Sequence, residues 1–186
     1  MSRPYLRVAN VQRGWLNLEE IKTIRVTQDE ARTLTLRSGD ILMNEGGDRD
    51  KLGRGWVWEG QITDCIHQTH VFRPRVRNAS VPPKYVSYYA NAFGRQYFID
   101  EGKQTTNLAS ISMRKVAALP VPVASPEEME EVLRRIEAAF AWLDRVARTL
   151  SLSAPTSRNK RSVQCMWPLH VRLFAGHGMN SRRVTP

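Results

Sequence analysis

"SPEEMEEVLRRIEAAFAWLDRVARTL" (residues 125–150) decides the architecture. Ser125 stands three positions before Glu128, with Pro126 at the first helical position. This is the pattern of a capping box, in which the hydroxyl and the carboxylate each accept from the other residue's backbone N–H. Behind it, Met129, Leu133, Ile136, Phe140, Leu143, Ala147 and Leu150 recur at alternating steps of four and three. Such steps make a heptad seam. Val132, Ala139 and Val146 widen the stripe, while Glu130, Glu131, Arg134, Arg135, Glu137 and Arg145 fall outside it. One long coiled-coil-type helix is predicted, roughly 37 Å long at about 1.5 Å per residue. Its apolar stripe requires cover. The chain shows no second long helical pattern, so we expect a partner helix from another polypeptide or from a missing part of this one.

Upstream, the residues alternate or turn rather than repeat at helical spacing. "YLRVANV" reads as a strand ending at an Arg13-Gly14 turn. "NLEEIKTIRVT" fits either a short helix after Asn17 or a strand. A short helix is predicted around 28–33, a turn at Ser38-Gly39-Asp40, and an apolar strand in "DILMNE". The glycine-rich, charged segment 45–55, "EGGDRDKLGRG", reads as a solvated loop. "WVWEGQITDCIHQTHVFRPRV" is rich in β-branched and aromatic residues and reads as strands. After paired prolines, "VPPKYVSYYANAF" reads as a helix with Val86, Tyr89, Ala90 and Phe93 on one face. A second polar loop spans 100–107, and "ISMRKVAALPVPV" reads as an extended exit from the globular body. The expected class is α+β: a mixed α/β domain with a mostly β core over 1–124, the long helix over 125–150, and a basic tail over 151–186 expected to be poorly ordered.

The 186 residues carry a formal net charge of +10. That excess favours a polyanionic partner, because lysines and arginines release phosphate counterions. Six of the basic residues and none of the acidic ones lie in 151–186, so the body itself is only mildly basic. No apolar run approaches the ~20 residues of a membrane span, and the N-terminus has no signal-peptide core, so a cytoplasmic location is expected. The two cysteines, Cys65 and Cys165, give no disulfide framework.

"DCIHQTH" (64–70) gathers a cysteine and two histidines. On a strand, Cys65 and His67 would share a face while His70 pointed to the other, which is poor convergence for zinc. Cysteine–histidine nucleophilic catalysis lacks an orienting partner there. The loop 45–55 has neither EF-hand spacing nor the Gly-Lys-Ser/Thr of a P-loop. "VPPKY" lacks the polar first residue and adjoining aromatic of the adenine-methyltransferase signature. No catalytic residue, metal site or cofactor is therefore expected. What remains is a set of residues suited to phosphates and base edges: Arg49, Lys51, Arg54, Gln61, His67, Gln68, His70, Arg95, Gln96, Lys103 and Gln104.

Three stretches carry a resemblance: "PYLRVANVQRGWLNLEEIKTI", "LRSGDILMNEGGDRDKLGRGWVWEGQITDCIHQTHVFRPR" and "LASISMRKVAALPVPVASPEEMEEVLRRIE". Together they are similar to the target-recognition domain and spacer helix of type I restriction-modification specificity subunits, over residues 4–149. The resemblance implies a non-catalytic protein that holds double-stranded DNA and positions methyltransferase and restriction subunits. In the family, two recognition domains each read half of a bipartite site, with two helices as the ruler between them. The seam 129–150 would then pair with a second half-subunit or a second copy. Met129 after the paired glutamates departs from the family's usual helix start. Family members also carry residues ahead of "PYLRVANVQRG", so the recognition domain is expected to be N-terminally incomplete. The segment after the helix does not resemble the family, as a shifted or truncated reading frame would explain. A coiled-coil adaptor without DNA recognition is the rival reading.

Overall fold

The computed structural model describes residues 1–104 and 108–153. The chain divides into two compact units, a head from Met1 to Pro122 and a second unit from Val123 that contains the long helix. The basic tail beyond residue 153, with Cys165, lies outside the described residues.

The head begins with β1 (Ser2–Leu6), a single 3-10 turn, and the pair β2 (Val11–Gln12) and β3 (Trp15–Leu16). Then come β4 (Lys22–Arg25), α1 (Gln28–Leu34), β5 (Ile41–Asn44), β6 (Gly46–Gly47) and β7 (Gly55–Val57). The chain continues through β8 (Ile66–His67), β9 (Val71–Phe72), α2 (Pro83–Ala92) and α3 (Gly94–Glu101). It leaves the head through β10 (Lys103–Gln104), β11 (Ala109–Ser110) and α4 (Met113–Ala117). The class is α+β, as the sequence predicts, and α2, α3 and α4 share the core with the strands.

Strand β5 is the centre of this arrangement. It pairs antiparallel with β7 on one side and β9 on the other. All four of its residues are buried. Side chains alternate along a strand, and the two sides of β5 enter different cores. Ile41 and Met43 join Leu52, Val57, Ala90, Phe98, Ile111 and Val116. Leu42 joins Leu6, Val11, Leu36, Trp58, Cys65 and Val71. The second core is closed by β1, which pairs antiparallel with β4 and parallel with β8. The turn at Arg13-Gly14 joins β2 to β3, with Gly14 at φ 83°.

Several expectations need correction. "WVWEGQITDCIHQTHVFRPRV" contains three strands of two or three residues and is otherwise irregular, although Trp58, Cys65 and Ile66 are buried in it. The run 45–55 is not simply a solvated loop, because it forms β6 and a 3-10 turn and buries Leu52. Residues 113–117 are helical, capped by Ser112, where an extended exit is predicted; the extended run begins after them. Helix α3 carries no sequence expectation. Phe98 anchors it: it is fully buried, and a Cβ on Gly53 would collide with its ring. On α2, Ala90 is buried as expected, but Phe93 is 52% exposed and the inward positions include Tyr85, Ser87 and Asn91.

The second unit contains α5 (Pro126–Ser153). Its capping box forms as the sequence predicts: Glu128 N–H donates to Ser125 Oγ at 3.2 Å, and Ser125 N–H donates to Glu128 Oε2 at 3.1 Å. Along the seam Met129 is buried, Leu133, Ile136, Phe140, Leu143 and Ala147 are half-buried, and Leu150 is 64% exposed. Off the seam, Glu131 accepts from Arg134 and Arg135, each at 2.7 Å.

Removing the Phe98 ring leaves a void beside a glycine that cannot fill it. Phe98→Ala should destabilise the head by about 3–5 kcal/mol, read from urea unfolding. A loss under about 1 kcal/mol would contradict this packing.

Candidate nucleic-acid interface

The two polar loops meet in one small sheet. Strand β6 pairs with β11, and β11 pairs with β10, all antiparallel. Gly46 lies opposite Ser110, and Ser110 opposite Lys103. A step of about 4.8 Å per strand thus places segments 45–51 and 100–104 within about 10 Å of each other. Gly46 permits the pairing, since a Cβ there would stand 2.8 Å from the Ala109 carbonyl oxygen. His70 reaches the same rim: its Nδ1 lies 2.7 Å from Glu45 Oε2, and its own carbonyl accepts from Glu45 N–H at 3.0 Å.

Arg49 is exposed in the 3-10 turn before Leu52. Lys51 is ion-paired with Asp48, whose carboxyl it holds below the ordinary range, with Arg54 adding to the effect. Lys103 and Gln104 are both exposed, and as neighbours on one strand they face opposite sides of the ribbon. Arg49, Lys51, Arg54, His70, Lys103 and Gln104 are therefore gathered by one small sheet and its flanking turns. The other residues lie outside the strands and turns of that sheet. Arg95 and Gln96 are exposed on α3, with Gln96 donating to Asp100 at 2.8 Å. Gln61 is exposed in the loop after β7 and accepts from Glu59 N–H at 3.0 Å. Gln68 is half-buried, its backbone linking Leu6 to Val71.

"DCIHQTH" is a turn, two strand residues and another turn. Asp64, at φ 57°, is ion-paired with Arg3. Cys65 and Ile66 are both buried, so the strand alternation expected across Cys65 and His67 is broken. Burial pushes the Cys65 thiol up to about 11, opposite to the activation a nucleophile needs. His67 Nδ1 lies 2.7 Å from the Val71 carbonyl oxygen and 3.1 Å from that of Gln68. These acceptors place the ring proton on Nδ1 and lock the turn into β9. Burial holds the His67 pKa below its ordinary value, outweighing those two bonds. Among the described residues no group of three or more His, Cys, Asp and Glu could hold a metal ion. No helix among them is long and apolar enough to cross a membrane.

Sequence reasoning missed a further cluster. Asp40, 1% exposed at the entrance to β5, accepts from Arg75 through both carboxylate oxygens and from the Arg37 backbone N–H at 2.8 Å. Arg73 Nε lies 3.9 Å from the same carboxylate, and its Nη1 donates to the Thr35 carbonyl at 2.7 Å. The available signal is the alternating "RPRVR" of 73–77.

No protein-family model matches the chain. A search of curated proteins finds similarity to the EcoKI type I restriction enzyme specificity subunit of Escherichia coli strain K12, 21% identical over 153 residues. That match covers 81% of this chain and 33% of the relative, so the chain spans about a third of the relative's length.

Two outcomes follow from this geometry. In a Cys165→Ser background, Cys65 should react with a thiol reagent at least about 100-fold more slowly in the folded protein than in denaturant, since a thiol near 11 is almost wholly protonated at pH 8; equal rates would contradict its burial. His67 has a folded pKa below its unfolded value, so the unfolded chain binds more protons as pH falls below about 6.5, and stability drops there. The melting temperature should fall between pH 7.5 and 5.5, and fall less in His67→Gln; an equal fall in both would remove His67 as the cause. The similarity that the sequence motifs lead one to expect is thus found: the chain resembles a type I restriction-modification specificity subunit.

Proposed function

We propose that the chain is a sequence-specific DNA-binding module, a specificity subunit or half-subunit of a type I restriction-modification complex. It directs adenine methylation and restriction to a bipartite site and performs no chemistry itself. The observation that carries this reading is the similarity over 153 residues, more than the 122 of the head, to a specificity subunit. The joining of the two polar loops in one sheet supports it, because a duplex reader needs several short segments aimed at one groove.

In this reading residues 1–124 form the recognition domain. Lysines and arginines neutralise phosphates for affinity, and Arg49, His70, Gln104 and their neighbours meet base edges. The target adenine is displayed to a methyltransferase subunit, which must flip it out of the stack to reach it. The helix 125–150 sets spacing and assembly. Its heptad seam takes the second spacer helix of a full subunit or a second copy of this chain. A symmetric pair of copies would read a palindromic bipartite site. The complex works in the cytoplasm, with restriction subunits joining the same assembly.

Duplex binding in salt separates this reading from that of a coiled-coil adaptor. With about four phosphate contacts, affinity for a 30-base-pair duplex should fall roughly 100-fold between 50 and 200 mM salt. An adaptor would bind no duplex at any salt, even with the methyltransferase subunits supplied. Ile136→Glu places a charge in the seam, and sedimentation should then show a smaller assembly than the unaltered chain gives. Identical sedimentation would remove the seam from assembly.

A further inference from the structure

We infer that Arg37, Arg73 and Arg75, gathered around the buried Asp40, form a second nucleic-acid contact that grips the phosphate backbone without reading sequence. This rests on the DNA-binding reading above and adds to it a surface distinct from the β6–β11–β10 rim. The observation is a charge surplus held in place. Two guanidinium groups, those of Arg75 and Arg73, approach one carboxylate, a third, that of Arg37, acts on Arg73, and arginine does not shed its proton in proteins. Asp40 is already occupied by the paired bonds from Arg75 and by the Arg37 backbone N–H. Arg73 keeps only an ion-pair distance to it, 3.9 Å. The other acids bracketing these segments are engaged elsewhere: Asp29 with Arg32, Glu30 with Thr27, and Asp64 with Arg3. Burial, with Arg73 adding to it, lowers the pKa of the neighbouring His67.

The cluster is also rigid. The Pro74 carbonyl accepts from Ile41 N–H at 3.1 Å, fastening the arginine segment to the start of β5. Phe72 and Val76 pack on the first core, while Arg75 and Arg77 are exposed. Arg73 is held in place by the Thr35 carbonyl, and its pKa is lowered by burial and then by Arg75 and Arg37. Arg37 is exposed at the rim of the cluster. Arg75 and Arg73 are held with part of their N–H donors spent on Asp40 and Thr35, and their remaining donors, with the exposed Arg37 guanidinium, suit phosphate oxygens. An isolated base edge would leave most of that charge unmatched. The structural alternative, in which the cluster only neutralises Asp40, needs one arginine rather than three.

The test uses the full chain and a fluorescent 30-base-pair duplex, with affinity measured across a salt series. Arg37→Gln leaves the Asp40 bonds intact, because only the Arg37 backbone makes one. It should lower the slope of log affinity against log salt by about 0.9 and weaken binding about eightfold at 0.1 M salt. The loss should be the same for every duplex sequence. Arg77→Gln, added to Arg37→Gln, serves as a second variant that leaves Asp40 untouched and should reduce the slope further. If the unaltered chain binds duplex and the slopes of both variants equal its own, the cluster is structural only and this inference fails alone. If the loss depends on sequence, the cluster reads bases and the inference fails as stated. If the unaltered chain binds no duplex, the proposed function fails and takes this inference with it.

Discussion

The head depends on a strand of four residues that is buried on both faces. Because β5 sends Ile41 and Met43 into one core and Leu42 into the other, a slip of one residue would exchange every side chain between them. Its ends are fixed by polar groups. At the entrance, Asp40 binds Arg75 and the Arg37 backbone. At the exit, Asn44, fully buried, donates to the Val11 carbonyl at 3.0 Å. The rim that carries Glu45, Gly46 and Arg49 starts one residue later, so the register of β5 sets where the candidate interface lies.

Outside the β5 and β1–β4 ladders the strands pair over only two residues, and buried asparagines satisfy backbone groups that ladders would otherwise bond. Asn10 donates to the carbonyls of Asn17 and Glu20 at 2.8 and 3.0 Å and accepts from Arg7 N–H at 2.9 Å. Asn91 exchanges a pair of bonds with the Gly55 backbone, at 3.2 and 2.8 Å, and so ties α2 to β7. Gly55 has no space for a side chain, since a Cβ would overlap the Leu42 carbonyl. Four asparagine or aspartate side chains thus organise much of the backbone around the two cores.

This explains which features were legible in the sequence. Helix α5 was, because a capping box and a heptad seam are local and periodic. Helix α1, closed by the Thr27–Glu30 box, and the Arg13-Gly14 and Ser38-Gly39 turns were legible for the same reason. The stretch 56–76 was not: its β-branched and aromatic residues fill cores from irregular backbone, and composition cannot distinguish that from strand. Helix α3 was hidden because it has one deep anchor, Phe98, instead of a stripe. At the candidate site, residue type marked Arg49, His70 and Lys103, but only pairing between distant strands brings their segments together. The Asp40 cluster was invisible because its members come from positions 37, 40, 73 and 75, joined only by the fold.

The central claim is that the head meets duplex DNA on surfaces organised by β5, with the long helix reserved for assembly. Hydrogen–deuterium exchange of the full chain with and without duplex tests it directly. Protection should appear in segments around 37–51, 68–77 and 103–104, and exchange along 133–147 should stay unchanged. Protection confined to the helix, or exchange in the head indifferent to duplex, would contradict it.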